Sequence, residues 1–191
     1  EAIMGRYNFD KIVDRKHTKS LKYDFAVQRG KPADVLPFWV ADMDFEIPSE
    51  LKQVLLDRVN HGIFGYTESD DAYFNVLKEW FGSRFNWNID KKWLVKTPGV
   101  VFALAMAVRA FTKEGEGVLI NQPVYYPFSM VIDDNDRNLI NVPLIQGADT
   151  YTIDFEGVER AIVEHNVTLF LLCNPHNPVG RVWTEDELKR L

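Results

Sequence analysis

The run Val167–Cys173 constrains the fold more strongly than any other feature of this sequence. It consists of Val-Thr-Leu-Phe-Leu-Leu-Cys, and patterns typical of helices flank it on both sides. A strand with one solvated face alternates apolar and polar side chains, whereas a parallel strand that helices cover on both faces is apolar almost throughout. The run therefore predicts a buried parallel strand in an α/β domain.

Strands and helices alternate along much of the remaining chain, as an α/β domain requires. Strands are predicted over Trp93–Thr97, Val118–Ile120 and Leu139–Val142, and a short buried strand leading into a loop is predicted within Phe38–Phe45. Helices are predicted to begin at Pro48, near Asp70, at Val100, after the N-cap Asp154 and after Thr184, which starts a capping box. The polar segment Tyr7–Pro37 is predicted to be irregular, and its basic cluster Arg15–His17 favours a solvated cluster over an anion site.

Composition and charge exclude several classes of protein. The single cysteine, Cys173, excludes a disulfide framework and fits a reducing compartment, so we expect a cytoplasmic protein. The net charge is −6 and no run rich in lysine and arginine is present, which argues against nucleic-acid binding. No apolar stretch approaches the roughly 18 residues of a membrane span. The histidines lack partners at metal-ligand spacing, so no metal site is expected either.

Candidate binding residues follow three of the predicted strands, where open α/β sheets bind their ligands. The first group is Thr97-Pro98-Gly99, which precedes the helix that begins at Val100. A helix N-terminus offers unpaired N–H groups and the positive end of the helix dipole, which suits a phosphate. An isolated Pro-Gly pair is, however, better explained by a tight turn.

The second group is Asn121–Pro127, in which Tyr125 and Tyr126 lie between two prolines. An aromatic face at this point could stack on a planar ring. Alternatively, both tyrosines cover the edge of the core, and the segment taken alone favours that explanation.

The third group is Asn174–Arg181, directly after the apolar run. Its two Asn-Pro pairs keep the backbone out of a helix and are candidates for cis peptide bonds. The asparagine side chains could meet a polar ligand, whereas His176 receives no role. A purely structural turn would not need so many special residues, so this loop favours function.

Asn174-Pro175-His176-Asn177-Pro178-Val179-Gly180 resembles the Asn-Pro-x-Asn-Pro-x-Gly motif of fold-type I pyridoxal-phosphate (PLP) enzymes. The segments Phe38–Phe45, Gly65–Thr67 and Pro98–Val101 are similar to the cystathionine β-lyase branch of the class I/II aminotransferase superfamily, which includes maltose-regulon modulator-like C–S lyases. The resemblance implies a three-layer α/β/α PLP-transferase-like large domain over residues 48–191, incomplete here. Residues 1–47 would form an N-terminal arm that belongs to a smaller domain.

The resemblance also implies the roles of individual residues toward PLP. Backbone N–H groups at Val100 and Val101, next to Gly99, would hold the phosphate. Tyr125 would stack on the pyridine ring, and Asn177 would donate a hydrogen bond to the phenolic oxygen of that ring.

Two further implied roles concern the substrate and a second subunit. Val40, Ala41 and Asp42 would line the pocket for an amino acid substrate. Tyr66 would reach the phosphate of the neighbouring subunit's cofactor, since family members of full length form homodimers.

The family's catalytic residues have no match in this sequence. The Schiff-base lysine, the acidic partner of the pyridine nitrogen and the arginine that binds the substrate carboxylate all lie further along in family members, which are about twice as long. The lysines Lys91, Lys92, Lys96, Lys113 and Lys189 lie in no matching motif. We therefore expect a truncated chain that is inactive alone, with no catalytic residue of its own.

Three functions remain open from the sequence. The segment Trp39–Phe45 favours a PLP-dependent C–S β-lyase that converts cystathionine or related cysteine conjugates to a thiol, pyruvate and ammonia. A class I/II aminotransferase is the alternative, because both reactions share every residue seen here. A regulator that binds a partner protein is a hypothesis of a different class.

Overall fold

The computed structural model describes residues 7–191, which divide into two compact units. The first unit extends to Val76 and the second comprises Leu77–Leu191. The boundary between residues 47 and 48 that the resemblance implies stays a prediction. No helix among the described residues is long and apolar enough to cross a membrane.

The first unit is built from helices and irregular segments. It contains α1 (Leu21–Asp24), a 3-10 turn (Val27–Arg29), α2 (Ser49–His61) and the start of α3 (Asp71–Phe85), which continues into the second unit. Helix α2 begins after Pro48, as predicted, and ends at Gly62, which has a φ of 77°. A residue without Cβ adopts this left-handed conformation at little cost, and such a glycine commonly ends a helix.

Two predicted strands are wrong. Within Phe38–Phe45 the backbone is irregular, and Phe38 is 96% exposed rather than buried. Within Trp93–Thr97 no residue belongs to a strand; a 3-10 turn over Lys91–Trp93 comes first, and the Asp90 carboxylate caps it by accepting from the Lys92 N–H. Neither segment has a strand partner in the described residues. An apolar segment without a partner strand forms none of the inter-strand hydrogen bonds that define a sheet.

The second unit contains a parallel sheet of three strands. These are β1 (Gly117–Ile120), β2 (Asn138–Asn141) and β5 (Val167–Phe170), in the order β2-β1-β5. Between β2 and β5 in sequence lies a short antiparallel pair, β3 (Ile145–Gln146) and β4 (Tyr151–Thr152).

Helices cover both faces of this sheet. On one face α4 (Val100–Phe111) and α5 (Pro127–Asp133) pack against Val118 and Ile120 of β1. On the other face α6 (Phe155–Glu164) packs against Leu119. The predicted three-layer α/β/α arrangement is therefore confirmed, and α7 (Glu185–Arg190) follows β5 after the capping box at Thr184.

The apolar run that predicted a buried parallel strand lies at one side of the described sheet. Strand β5 ends at Phe170, three residues earlier than predicted; Thr168 is exposed and its other three residues are only partly buried. The strand with every residue buried is β1, because it pairs with β2 on one side and β5 on the other.

Candidate cofactor site

Two of the predicted binding loops leave the same edge of the sheet. Strands β1 and β5 are parallel neighbours, with Leu119 opposite Phe170. The loop after β1 carries Tyr125 and the loop after β5 carries Asn177. Because parallel strands end at the same edge, both loops begin at the carboxyl edge, where ligands of open α/β sheets bind.

A buried histidine joins these two loops. His176 is only 2% exposed, and its Nε2 lies 3.0 Å from the backbone oxygen of Pro123. Its backbone is held as well, because its N–H donates to the Arg181 oxygen and its own oxygen accepts from the Gly180 N–H. The loop around His176 is thus tied to the loop after β1 at a defined point.

The N-terminus of α4 is directed towards the same edge. At the other end of this helix, the Arg137 guanidinium donates from Nη2 to the Thr112 backbone oxygen over 2.7 Å and from Nε to the Thr112 hydroxyl over 2.9 Å. Arg137 immediately precedes β2, so the C-terminus of α4 lies at the amino edge of the sheet. Since α4 packs along the sheet through Val108, its first turn points to the carboxyl edge.

The first turn of α4 has the chemistry of an anion site. The N-cap residue of this helix is Gly99, which has no side chain. No side-chain hydrogen bond from the described residues therefore caps the helix there. Val100 is 74% exposed and Val101 is exposed as well. A Cβ built at Gly99 would meet no atom within 4 Å, so the space in front of the turn is open. Unpaired N–H groups at the positive end of a helix attract a phosphate.

Tyr125 presents an accessible ring. Its ring contacts that of Tyr126 edge-on, with 5.3 Å between centroids, and both side chains are exposed. The rings therefore do not simply cover the core edge, which was the alternative to a stacking role. An exposed, partly supported aromatic face can stack on a planar ring.

The two asparagines of the third loop differ in what their side chains do. The Asn174 side-chain oxygen accepts from the Trp183 N–H at 3.1 Å, so Asn174 is part of the loop's own structure. Among the described residues, no hydrogen bond is recorded for the amide group of Asn177, which is exposed. Asn177 thus keeps both donors of its amide for a ligand.

Further contacts hold this loop in shape. The Trp183 indole donates to the Cys173 oxygen at 3.0 Å, and Arg181 pairs with Glu187 of α7 at 2.6 Å. The Asn174–Pro175 and Asn177–Pro178 peptide bonds are cis, as the Asn-Pro pairs indicated, and Gln122–Pro123 is cis too.

The predicted substrate segment and Tyr66 lie in the first unit. Val40 is partly buried, Ala41 is exposed, and the Tyr66 side chain is fully exposed on an irregular stretch. Asp42 makes a bidentate pair with Arg15, at 2.9 Å to Nη1 and 2.7 Å to Nη2. Its carboxylate is therefore paired with Arg15 within the first unit, and its predicted place in the substrate pocket stays a prediction.

Asp42 belongs to a cluster of charges. Asp44 accepts from Arg15 at 2.6 Å, from Lys22 at 2.7 Å and from the Tyr23 hydroxyl at 3.1 Å. Hydrogen bonds from Lys22 and Arg15 lower the pKa of Asp44 to about 2, and Arg15 also lowers the pKa of Asp42. The prediction that the basic cluster is solvated is wrong for Arg15, because these carboxylates bind it.

The residues that the sequence did not identify are His176, Lys22 and Asp44. A signal existed for the charge cluster: two aspartates flank Met43 downstream of Arg15 and Lys22, with opposite charge. For His176 the sequence offered only its place in the loop.

Within the described residues, no group of three or more histidine, cysteine, aspartate or glutamate side chains could hold a metal ion.

Comparisons with known proteins identify the family of this chain. The family described as aminotransferase class I and II matches residues 33–191. The cystathionine beta-lyase PatB of Bacillus subtilis (strain 168) is 42% identical over 184 residues, which are 96% of this chain and 48% of PatB. The crystal structure of cystalysin from Treponema denticola, which contains a pyridoxal 5'-phosphate cofactor, matches with a TM-score of 0.86 and 41% identity.

The match to cystalysin covers 96% of this chain and 47% of cystalysin. The chain thus spans about half the length of the relatives that it matches. An aspartate aminotransferase of Sulfolobus acidocaldarius is also similar, at the lower identity of 26% over 98% of this chain and 48% of that enzyme.

Proposed function

The chain belongs to the aminotransferase class I and II family, and on this premise we propose that it contributes the PLP-binding half of a C–S β-lyase. The observation that carries the proposal is the convergence of three features on one sheet edge. These features are the uncapped first turn of α4, the accessible ring of Tyr125 and the unengaged amide of Asn177.

Each feature fits one part of PLP. The N–H groups at Val100 and Val101 would bind the phosphate, for which a helix N-terminus is suited. The Tyr125 ring would stack on the pyridine ring, and the Asn177 amide would donate to its phenolic oxygen. When bound, PLP acts as an electron sink for the bonds broken at an amino acid. The residues of this chain hold and orient that group.

The proposed substrate is an amino acid that carries sulfur at its β-carbon, such as cystathionine. In the reaction the Cβ–S bond breaks, the thiol leaves, and water enters to release pyruvate and ammonia. The 42% identity to PatB, against 26% to the aspartate aminotransferase of Sulfolobus acidocaldarius, supports a lyase over an aspartate aminotransferase. Val40 and Ala41 are proposed to border the substrate, whereas Asp42 is proposed to shape this segment through Arg15.

We also propose a homodimer for the full-length protein. The fully exposed ring of Tyr66 supports a role across such an interface. Sedimentation equilibrium of the full-length protein is the test, and a protein that stays monomeric at assay concentrations contradicts this part of the proposal.

The test of function uses the full-length protein with PLP. Incubation with cystathionine should release thiol and pyruvate in equal amounts, measured with a thiol reagent and with lactate dehydrogenase. Parallel samples receive an amino donor and a keto acid. Amino transfer that depends on the keto acid, without thiol release, would replace the lyase by the aminotransferase. Failure to bind PLP would contradict both.

A further inference from the structure

We propose that His176 is a positioning residue that keeps the loops of Tyr125 and Asn177 in register, a role that rests on the proposed function of those two residues. His176 directly precedes Asn177, and its bonding partner Pro123 lies two residues before Tyr125. The hydrogen bond from His176 to Pro123 spans 53 residues of sequence. A shift of the imidazole therefore moves the backbone beside both cofactor-binding side chains.

The contact with Pro123 determines which nitrogen of the ring carries the proton. A backbone oxygen only accepts, so Nε2 of His176 must be the donor over the 3.0 Å that separate them. The Nδ1 atom is buried and has no hydrogen-bond partner among the described residues. A proton on Nδ1 instead of Nε2 would leave a buried donor without an acceptor, which is costly. The geometry thus favours the Nε2–H tautomer.

Packing holds the ring in this orientation. The His176 ring meets the Trp183 ring edge-on, with 5.3 Å between centroids and 81° between planes. Trp183 is itself 3% exposed and belongs to the core beneath the sheet. The imidazole therefore contacts Trp183 of the core and hydrogen-bonds the Pro123 carbonyl, and these two contacts restrict its rotation.

Two substitutions in the full-length protein separate the hydrogen bond from the bulk of the ring. His176→Phe keeps a ring against Trp183 but removes the donor. His176→Gln carries an amide nitrogen about as far from the backbone as Nε2, so it can still donate to Pro123. We expect His176→Phe to weaken PLP binding by about tenfold or more, because the two loops are then in register in only about a tenth of the unbound protein or less, and His176→Gln to stay within about threefold of wild type.

PLP affinity is measured by equilibrium titration, and urea unfolding is measured for each variant. A merely structural histidine would lower the stability of His176→Phe without weakening PLP binding to the folded protein. Equal PLP affinity of His176→Phe and wild type therefore overturns the proposal. If His176→Phe does not fold, His176→Asn replaces it, because its shorter amide cannot reach Pro123; wild-type affinity in that variant overturns the proposal equally.

A readout without PLP separates this proposal from the proposed function. Nitrogen-15 NMR of the imidazole should show a protonated Nε2 and an unprotonated Nδ1 in the protein without cofactor. A protonated Nδ1 with a bare Nε2 overturns the assigned contact, whatever the protein binds. Wild-type protein that fails to bind PLP while His176 shows the expected tautomer contradicts the proposed function instead.

Discussion

The indole nitrogen of Trp183 donates a hydrogen bond to the backbone oxygen of Cys173 over 3.0 Å. This bond joins the two ends of the loop that carries Asn174, His176 and Asn177. The backbone N–H of Trp183 donates a second hydrogen bond, to the side-chain oxygen of Asn174. Trp183 therefore closes the loop through two hydrogen bonds. Trp183 is almost fully buried, so the donor groups of both bonds are largely shielded from water.

Replacing Trp183 with phenylalanine should destabilise the protein. The substitution leaves the Cys173 oxygen without its donor and removes part of a buried ring, which together cost about 2–4 kcal/mol in the free energy of unfolding. Urea denaturation measures this loss. Trp93→Phe is the matched control, since Trp93 is exposed, and it should change stability by less than about 0.5 kcal/mol. Equal stability of the two variants contradicts the role given to Trp183.

Val100→Pro should weaken the binding of PLP and leave the helix in place. Proline fits the first position of a helix, and Gly99 before it is extended, with φ 166° and ψ 168°, as a residue preceding proline should be. The change removes one N–H from the proposed phosphate site, so PLP should bind roughly 10- to 100-fold more weakly.

Two controls accompany Val100→Pro. Val100→Ala keeps the N–H and should bind PLP as wild type does. Pyridoxal, which lacks the phosphate, should bind Val100→Pro and wild type alike. If Val100→Pro loses affinity for both ligands to the same extent, the first turn of α4 is not the phosphate site.

Asn174→Ala should lower stability, whereas Asn177→Ala should lower PLP affinity. Asn174→Ala deprives the Trp183 N–H of its acceptor and should lower the free energy of unfolding by about 1–2 kcal/mol. Asn177→Ala removes an exposed amide, so stability should change by less than about 0.5 kcal/mol, while PLP affinity should fall about tenfold. Calorimetry and PLP titration of both variants test the pair. A stability loss confined to Asn177→Ala would reverse the assignment.

Asp44 should make the stability of the protein depend on acid pH. Its pKa is lowered to about 2 in the folded protein by Lys22 and Arg15, whereas the pKa of an unfolded aspartate is about 3.9. The stabilisation is therefore complete above about pH 4 and is lost as the pH falls towards 2. The difference in unfolding free energy between wild type and Asp44→Asn should shrink over that interval.

Urea unfolding at several pH values between 2 and 6 measures this difference. Asp34→Asn is the control, because Asp34 is exposed and lies outside the charge cluster. A difference between wild type and Asp44→Asn that stays constant down to pH 2 would show that the ion pairs of Asp44 contribute nothing in solution.

Signals that act within a few residues were sufficient to predict most helices. Helix α4 begins at Val100, as predicted, and Asp154 caps α6 by accepting from the Gly157 N–H. The Thr184 capping box is present with both of its hydrogen bonds. Such caps depend on side chains and backbone groups three residues apart, so the sequence contains all the information that they need.

Strands were predicted less well, because a strand depends on its partner. The segments Phe38–Phe45 and Trp93–Thr97 have apolar residues typical of strands but pair with no strand in the described residues. The run Val167–Cys173 forms a strand only as far as Phe170. Its strong apolar character could not reveal that β1, a shorter segment, takes the central position.

The sequence by itself determined the α/β class, the starts of five helices and the presence of three candidate loops, since local patterns and motif residues specify them. Only the tertiary structure decided that Asn174 binds its own loop and Asn177 does not, and that Arg15 is bound by two aspartates. It also decided the burial of His176 against Pro123. These outcomes depend on which distant segments folding brings into contact, and no pattern within one segment records its neighbours in space.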